Sequence, residues 1–362
     1  MNELDLHKTR YLNKDYLFFA CLVILAVIIG VSAPLFLPDR FYNDAFILTV
    51  DLYNEIGWWS SYPLTIAFYK YTGLKFLPYA LVGFLQLSIL FYALYKIGVP
   101  SGFRKLTAKN GVVWLSFLLL AIYVSMPSKE FINFLFVAVI PIIFLKKIKS
   151  NSIFILCCLL WFILFGSIYR LYYLMIPILS VLFYVVSRIR LKNKLVFTFF
   201  IGLFAAIFMS LSYGFISGSY LSEISRDRVN DERLFSTEAS SKIEPPFEVD
   251  SWYGEAASIT YGFFTVNFPV NGLRFLLKPQ ILAFVVWQLI LILLLLWGYA
   301  NCLRKQKQYP RMLWIFHFTM AYFIIQGVFE PDLGSAVKHK MGFLPLIYIA
   351  LYYDYFRKNI PV

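Results

Sequence analysis

Charge is scarce in this chain. Only 15% of its 362 residues are Asp, Glu, Lys or Arg, and it holds just three histidines and four cysteines. A soluble enzyme of this length needs a far more polar surface, so that class is excluded. Cys21, Cys157, Cys158 and Cys302 lie within apolar runs or at their cytoplasmic ends, without metal-ligand spacing. Neither a disulfide framework nor a metal site is expected. No internal repeat of fixed period is evident, which weakens a transporter reading based on repeat architecture.

What fills the chain is apolar. Hydrophobic residues make up 60% of it, and runs of about twenty, enough to cross a bilayer core at 1.5 Å per residue, recur along its length. The pattern predicts an all-α polytopic membrane bundle over residues 1–362. Ten spans are expected, at 16–37, 77–96, 112–127, 131–145, 153–169, 171–187, 195–213, 281–300, 312–329 and 342–356. The first follows a charged leader but ends in L-F-L-P-D-R without a small-residue cleavage site, so it reads as a retained span.

Basic residues sort by side. With the N-terminus cytoplasmic, the inner segments carry 20 of the 33 Lys and Arg and only four acids, Glu3, Asp5, Asp15 and Asp354, for a net of +16. The outer segments carry 13 basic and 16 acidic residues, net −3. This is the positive-inside pattern, and it places both termini in the cytoplasm. The high positive balance is therefore topogenic and argues against nucleic acid as a partner.

Two outer segments are long. Residues 38–76 are amphipathic and rich in Trp and Tyr, suited to the membrane interface. Residues 214–280 carry Arg226, Arg228, Arg233 and Lys242 against nine acids, then an apolar stretch interrupted by Gly262, Pro269 and Gly272. A full span there would put the basic cluster at 304–311 outside, so a re-entrant or surface helix is expected.

Four outer constellations could carry chemistry: Arg40 with Asp44, Ser128-Lys129-Glu130, Arg170 followed by Tyr172 and Tyr173, and the loop E-P-D-L-G-S-A-V-K-H-K from Glu330 to Lys340. A lone cation at a helix end is ordinarily a snorkelling anchor, and Lys129 beside Glu130 could be a local ion pair. Arg170 has no charged neighbour in its turn. The last loop combines lysines that attract phosphate with two candidate bases, His339 and Glu330, between which the residues alone do not choose. His317, inside a span, reads as a satisfied structural histidine and His7 as a solvated one. Trp58, Trp59, Trp252 and Tyr253 offer ring faces for sugars.

R-F-Y-N-D after the first span, S-K-E at an outer turn, an arginine-bearing outer loop and E-P-D-x-G-S-x-x-K-H-K before the last span together resemble Wzy-type O-antigen and capsular polysaccharide polymerases. The likeness covers the layout of the whole chain. Lysines stand at 338 and 340 where arginine is common, which keeps attraction for phosphate but not the bidentate fork.

The resemblance implies a metal-independent glycosyltransferase of GT-C-like fold, without a cofactor. It would move a growing glycan from undecaprenyl pyrophosphate to a lipid-linked repeat unit on the outer face of a bacterial inner membrane. On that reading Arg170, Lys338, Lys340, Arg226 and Arg228 bind pyrophosphate, and His339 or Glu330 is the base. Arg40, Asp44, Lys129, Glu130, Tyr173 and Ser335 position sugar or the basic side chains. Lipid-linked oligosaccharide and membrane lipid are the expected partners, with a chain-length regulator as a further candidate. The competing readings are an O-antigen ligase, a polysaccharide acyltransferase, and a flippase or transporter of lipid-linked oligosaccharide.

Overall fold

The structure, a computed structural model, describes residues 14–38, 41–50, 60–227, 241–246, 248–275 and 277–358. The helices run α1 Lys14–Ser32, α2 Asn43–Val50, α3 Ser61–Tyr71, α4 Tyr79–Ile97, α5 Ala108–Val124, α6 Lys129–Val139, α7 Asn151–Ile168 and α8 Met175–Arg188. They continue with α9 Lys194–Ser217, α10 Trp252–Asn267, α11 Pro279–Arg304, α12 Pro310–Phe329, α13 Leu333–Gly342, α14 Leu344–Leu351 and α15 Tyr353–Phe356. Among the described residues there is no strand beyond one antiparallel bridge, Lys242 with Asp332.

Local chemistry sets many of the boundaries. Thr107, Ser150, Asn193, Ser251 and Asp332 each accept a backbone N–H at the start of a helix, and Pro279 and Pro310 occupy first-turn positions where no N–H is needed. Pro141 has no N–H to continue the ladder, and α6 widens there into a π turn, Ile140–Phe144, before closing at Leu145–Lys147.

Among the described residues, seven helices are long and apolar enough to cross a membrane: α1, α4, α7, α8 with its leading turn, α9, α11 and α12. The other three expected spans are helical but shorter. α5 has 17 residues, α6 is interrupted at Pro141, and 342–356 divides into α14 and α15. A stripe of phenylalanines on α9, Phe197, Phe200, Phe204 and Phe208, is exposed at helical spacing. An apolar face of that kind requires lipid, so this is a membrane protein.

α12 is the axis of the bundle. Every residue from Arg311 to Val328 is buried, and α8, α10, α9 and α14 all pack against it. The apolar stretch interrupted by Gly262, Pro269 and Gly272, expected as a re-entrant or surface helix, begins within α10, which lies between α9 and α12 and ends before Pro269. The α10–α12 crossing is close because glycines meet there. A Cβ on Gly327 would stand 2.5 Å from Phe263 Cα, so backbone rather than a movable side chain would have to give. Gly327→Ala is expected to destabilise the protein by about 1–3 kcal/mol, seen as a lower melting temperature in detergent. An unchanged melting temperature would mean that this contact is not tight.

The basic segments collect at one end of the bundle. Arg311, entering α12, donates to Asn151 Oδ1 at 2.6 Å and to the carbonyl of Ile148 at 2.7 Å, closing the end of the α6 extension. Asp15 accepts from the backbone N–H of Gly102 and Arg104 at 2.7 and 3.1 Å. Lys194 donates to the Ser187 carbonyl at 2.6 Å. Arg311 and Lys194 thus tie chain segments together at this end, and Glu130, Arg170 and Glu330 lie at the opposite one.

Candidate functional site

At that opposite end α5, α7 and α12 finish and α6 and α8 begin, so side chains far apart in sequence converge. Glu130 sits in the first turn of α6, Arg170 in the extended turn after α7, and Glu330 in the extended residue after α12. Asp332 then starts α13: its Oδ1 accepts the Ser335 N–H at 2.8 Å and its Oδ2 the Ser335 hydroxyl at 2.7 Å. Residues 241–243 lie along this loop, with Ile243 N–H donating to Pro331 O at 2.8 Å and Leu333 N–H to Ser241 O at 3.2 Å. The arginine-bearing outer segment therefore braces the loop that carries the site.

A continuous polar chain crosses the site. Asn133 Nδ2 donates to the Tyr173 hydroxyl at 2.8 Å, Arg170 reaches the same oxygen at 3.3 Å, and its other nitrogen pairs with Glu130 Oε1 at 2.7 Å. His339 follows, with Nε2 3.4 Å from Glu130 Oε1 and Nδ1 2.9 Å from both oxygens of Glu330. Gln326, one turn before Glu330 on α12, completes the chain by donating to Glu330 Oε1 at 2.8 Å and to Ala336 O at 3.1 Å. Glu330 thus grips Nδ1 with both oxygens while Glu130 faces Nε2, so the ring lies between two carboxylates.

A second ion pair lies over the first. Lys338 pairs with Asp44, whose other oxygen accepts from the Tyr62 hydroxyl at 3.4 Å, and Lys129 sits 3.6 Å from the centre of the Tyr62 ring. α2 and α3 thus form a roof, fastened below by Tyr69, whose hydroxyl accepts from Ser128 N–H at 3.0 Å and Gln86 at 2.8 Å. The side chains of His339, Lys338 and Asp44 are 24%, 18% and 26% exposed, whereas those of Glu130 and Arg170 are 0% and 5% exposed. A ligand entering from outside therefore meets His339, Lys338 and Asp44 first.

Electrostatics keep the site charged. Burial alone would raise the Glu130 carboxyl, but Arg170 first, then His339, Lys338 and Lys129, bring it down to about 2. Burial likewise opposes ionisation of Asp44, and Lys338 and Lys129 override it, holding the carboxyl well below the usual range. Lys129 is pushed down to about 8 by burial, with Asp44 partly offsetting.

Of the residues singled out from sequence, Asp44, Lys129, Glu130, Arg170, Tyr173, Glu330, Lys338 and His339 meet here. Three are placed elsewhere or otherwise engaged, and two lie outside the described residues. Lys340 is fully buried over the ring of Phe323, because two residues on a helix turn through about 200° and separate it from Lys338. Ser335 is held by Asp332. Arg226 is buried against Ser258 on α10. Arg40 and Arg228 lie outside the described residues, as do Trp58 and Trp59.

Gln326 and Asn133 went unnoticed in the sequence. Both had a signal, for they stand four residues before Glu330 and three after Glu130 on the same helix faces. Tyr62 had none. Among the described residues no three His, Cys, Asp or Glu side chains converge on a metal-sized site. Compared with family models, curated proteins and solved structures, the chain matches none.

Proposed function

We propose that the protein is a polysaccharide polymerase of the bacterial inner membrane, with both termini cytoplasmic and its site on the outer face. It transfers a growing glycan from undecaprenyl pyrophosphate to a lipid-linked oligosaccharide repeat unit. The observation that carries this reading is the meeting of Lys129, Arg170 and Lys338 with the Glu330–His339 pair at one end of an apolar bundle. Glycosyl transfer from a pyrophosphate needs both parts: cations for the departing anion and a base for the acceptor hydroxyl.

In the proposed step the acceptor oxygen bonds to the anomeric carbon as the bond from that carbon to the phosphate oxygen breaks, its electron pair leaving with pyrophosphate. His339 Nε2 takes the hydroxyl proton, and Glu330 orients the ring and stabilises the imidazolium. Lys338 and Lys129 are the cations nearest the entrance, and Arg170 acts from below by holding Glu130. Clustering at one end, rather than along the spans, favours an enzyme over a flippase.

The test is the length pattern of surface polysaccharide in a deletion strain, paired with purified protein and a lipid-linked repeat unit. The expected results are glycan capped with a single repeat in the strain and polymer in the tube. Loss of all repeats would point instead to a ligase or flippase, and unchanged polymer would overturn the assignment.

A further inference from the structure

Behind the Glu330–His339 pair lies a buried amine that the proposed step does not use. Lys340 is fully buried, its Nζ has no hydrogen-bonding partner, and it lies 5.4 Å from the centre of the Phe323 ring on α12. Gln326, three residues further along α12, spends its amide N–H groups on Glu330 and on Ala336 O, one turn before Lys340 on α13, while its Oε1 is also buried and unpartnered. Lys340 Nζ, beside Phe323, and Gln326 Oε1, three residues on, thus lie unpartnered along the part of α12 that meets α13. Buried polar atoms of this kind are ordinarily joined by internal water.

We propose that Lys340 is uncharged in the resting protein and serves, through water held by Gln326 Oε1, as the proton store behind Glu330 and His339. This rests on the functional reading above. The proton removed from the acceptor hydroxyl arrives at His339 Nε2; the proton on Nδ1 passes to Glu330 and from there to the Lys340 amine, which becomes an ammonium. His339 and Glu330 are left without excess charge while pyrophosphate departs; after the products leave, the ammonium's proton returns through Glu330 to Nδ1 as Nε2 gives its proton to solvent, which restores the starting state.

The electrostatic setting agrees with this geometry. Burial pushes Lys340 down to about 7, and Glu330 offsets part of that effect. The elements packed against α13 bring Glu330 and Tyr322 from α12, Lys129 and Glu130 from α6, Tyr123 from α5 and Tyr348 from α14, beside Lys338 and His339 on α13 itself. Of these, Glu330 is the group that acts on Lys340. A lysine lowered from 10.5 to about 7 in the folded state weakens folding below pH 7 and recovers stability as pH rises from 7 to 10.5, since the unfolded chain then holds the extra proton.

Two readouts test this in the purified full-length protein. Lys340→Met, of similar length and uncharged, should melt above the parent at pH 7, with the gap closing toward pH 10; Lys340→Gln should narrow the gap in the same way. A Met variant that melts below the parent throughout would overturn the uncharged state, because a paired ammonium behaves so. With a lipid-linked repeat unit, the parent's polymerisation rate should rise with pH through about 7, and in Lys340→Met this limb should vanish with a rate about tenfold lower, less than the 10²–10⁴ expected for loss of a base itself. A limb that persists in Lys340→Met would overturn the proton store. If the parent makes no polymer, the functional reading and the relay fail together, while the melting comparison still decides the charge of Lys340.

Discussion

Arg170→Ala is expected to be the most damaging single substitution in the chain, with a loss of about 3–5 kcal/mol of stability and no polymer formed. The reason is Glu130, fully buried with Arg170 2.7 Å from its Oε1 and no hydrogen-bonding partner for its Oε2. Removing the cation leaves a carboxylate in an apolar interior, where the residual attraction of His339 at 3.4 Å is too long to replace it. Glu130→Gln combined with Arg170→Gln removes both charges and should recover much of the melting temperature without restoring activity. If Arg170→Ala melts within a few degrees of the parent, Glu130 does not depend on it.

The same pair predicts an acid transition. Glu130 titrates at about 2 in the folded protein against an ordinary 4.5, so its contribution to stability is fully present above pH 4.5 and is lost as pH falls through 2. The difference corresponds to about 3 kcal/mol, of the same size as the mutational loss. Melting temperatures taken between pH 6 and pH 2 should fall further for the parent than for the doubly neutral variant. Parallel curves would show that the ion pair contributes nothing over this range.

His339→Ala should slow polymer formation by roughly 10²–10⁴-fold while the protein still folds, since Glu130 keeps Arg170 and Glu330 keeps Gln326. Glu330→Gln should be less severe. It keeps the shape of the partner at Nδ1 but gives up the negative charge that stabilises an imidazolium. The rate of glycan extension per folded protein decides this, with folding checked by melting. A His339→Ala rate within tenfold of the parent would remove His339 as the base, and equal losses in the two variants would mean that Glu330 acts on the acceptor directly.

The membrane class was legible because length and hydropathy state it directly, and the charge sorting was legible because basic segments recur at alternate ends of apolar runs. The short helices were harder. Pro141 turns the α6 region into a broken helix, and α14 ends after eight residues, although the same letters read as continuous apolar runs. Within the site, Arg170 stood out by its isolation and the Glu330–Lys340 loop by its mixture of groups, but their partners did not. Glu130 looked like a neighbour of Lys129, and the structure instead gives Glu130 to Arg170 and sets Lys129 over Tyr62.

By itself the sequence determined an apolar helical chain whose few charged residues gather in the segments between apolar runs. Those properties depend on composition and on period along the chain. The tertiary structure alone decided which charges meet. Lys338, His339 and Lys340 are consecutive letters, but helix rotation sends them to Asp44, to the two glutamates and into the interior. Pairings such as Asp44 with Lys338 join residues 294 positions apart. They arise from the packing of helix ends around α12, which no local pattern in the chain records.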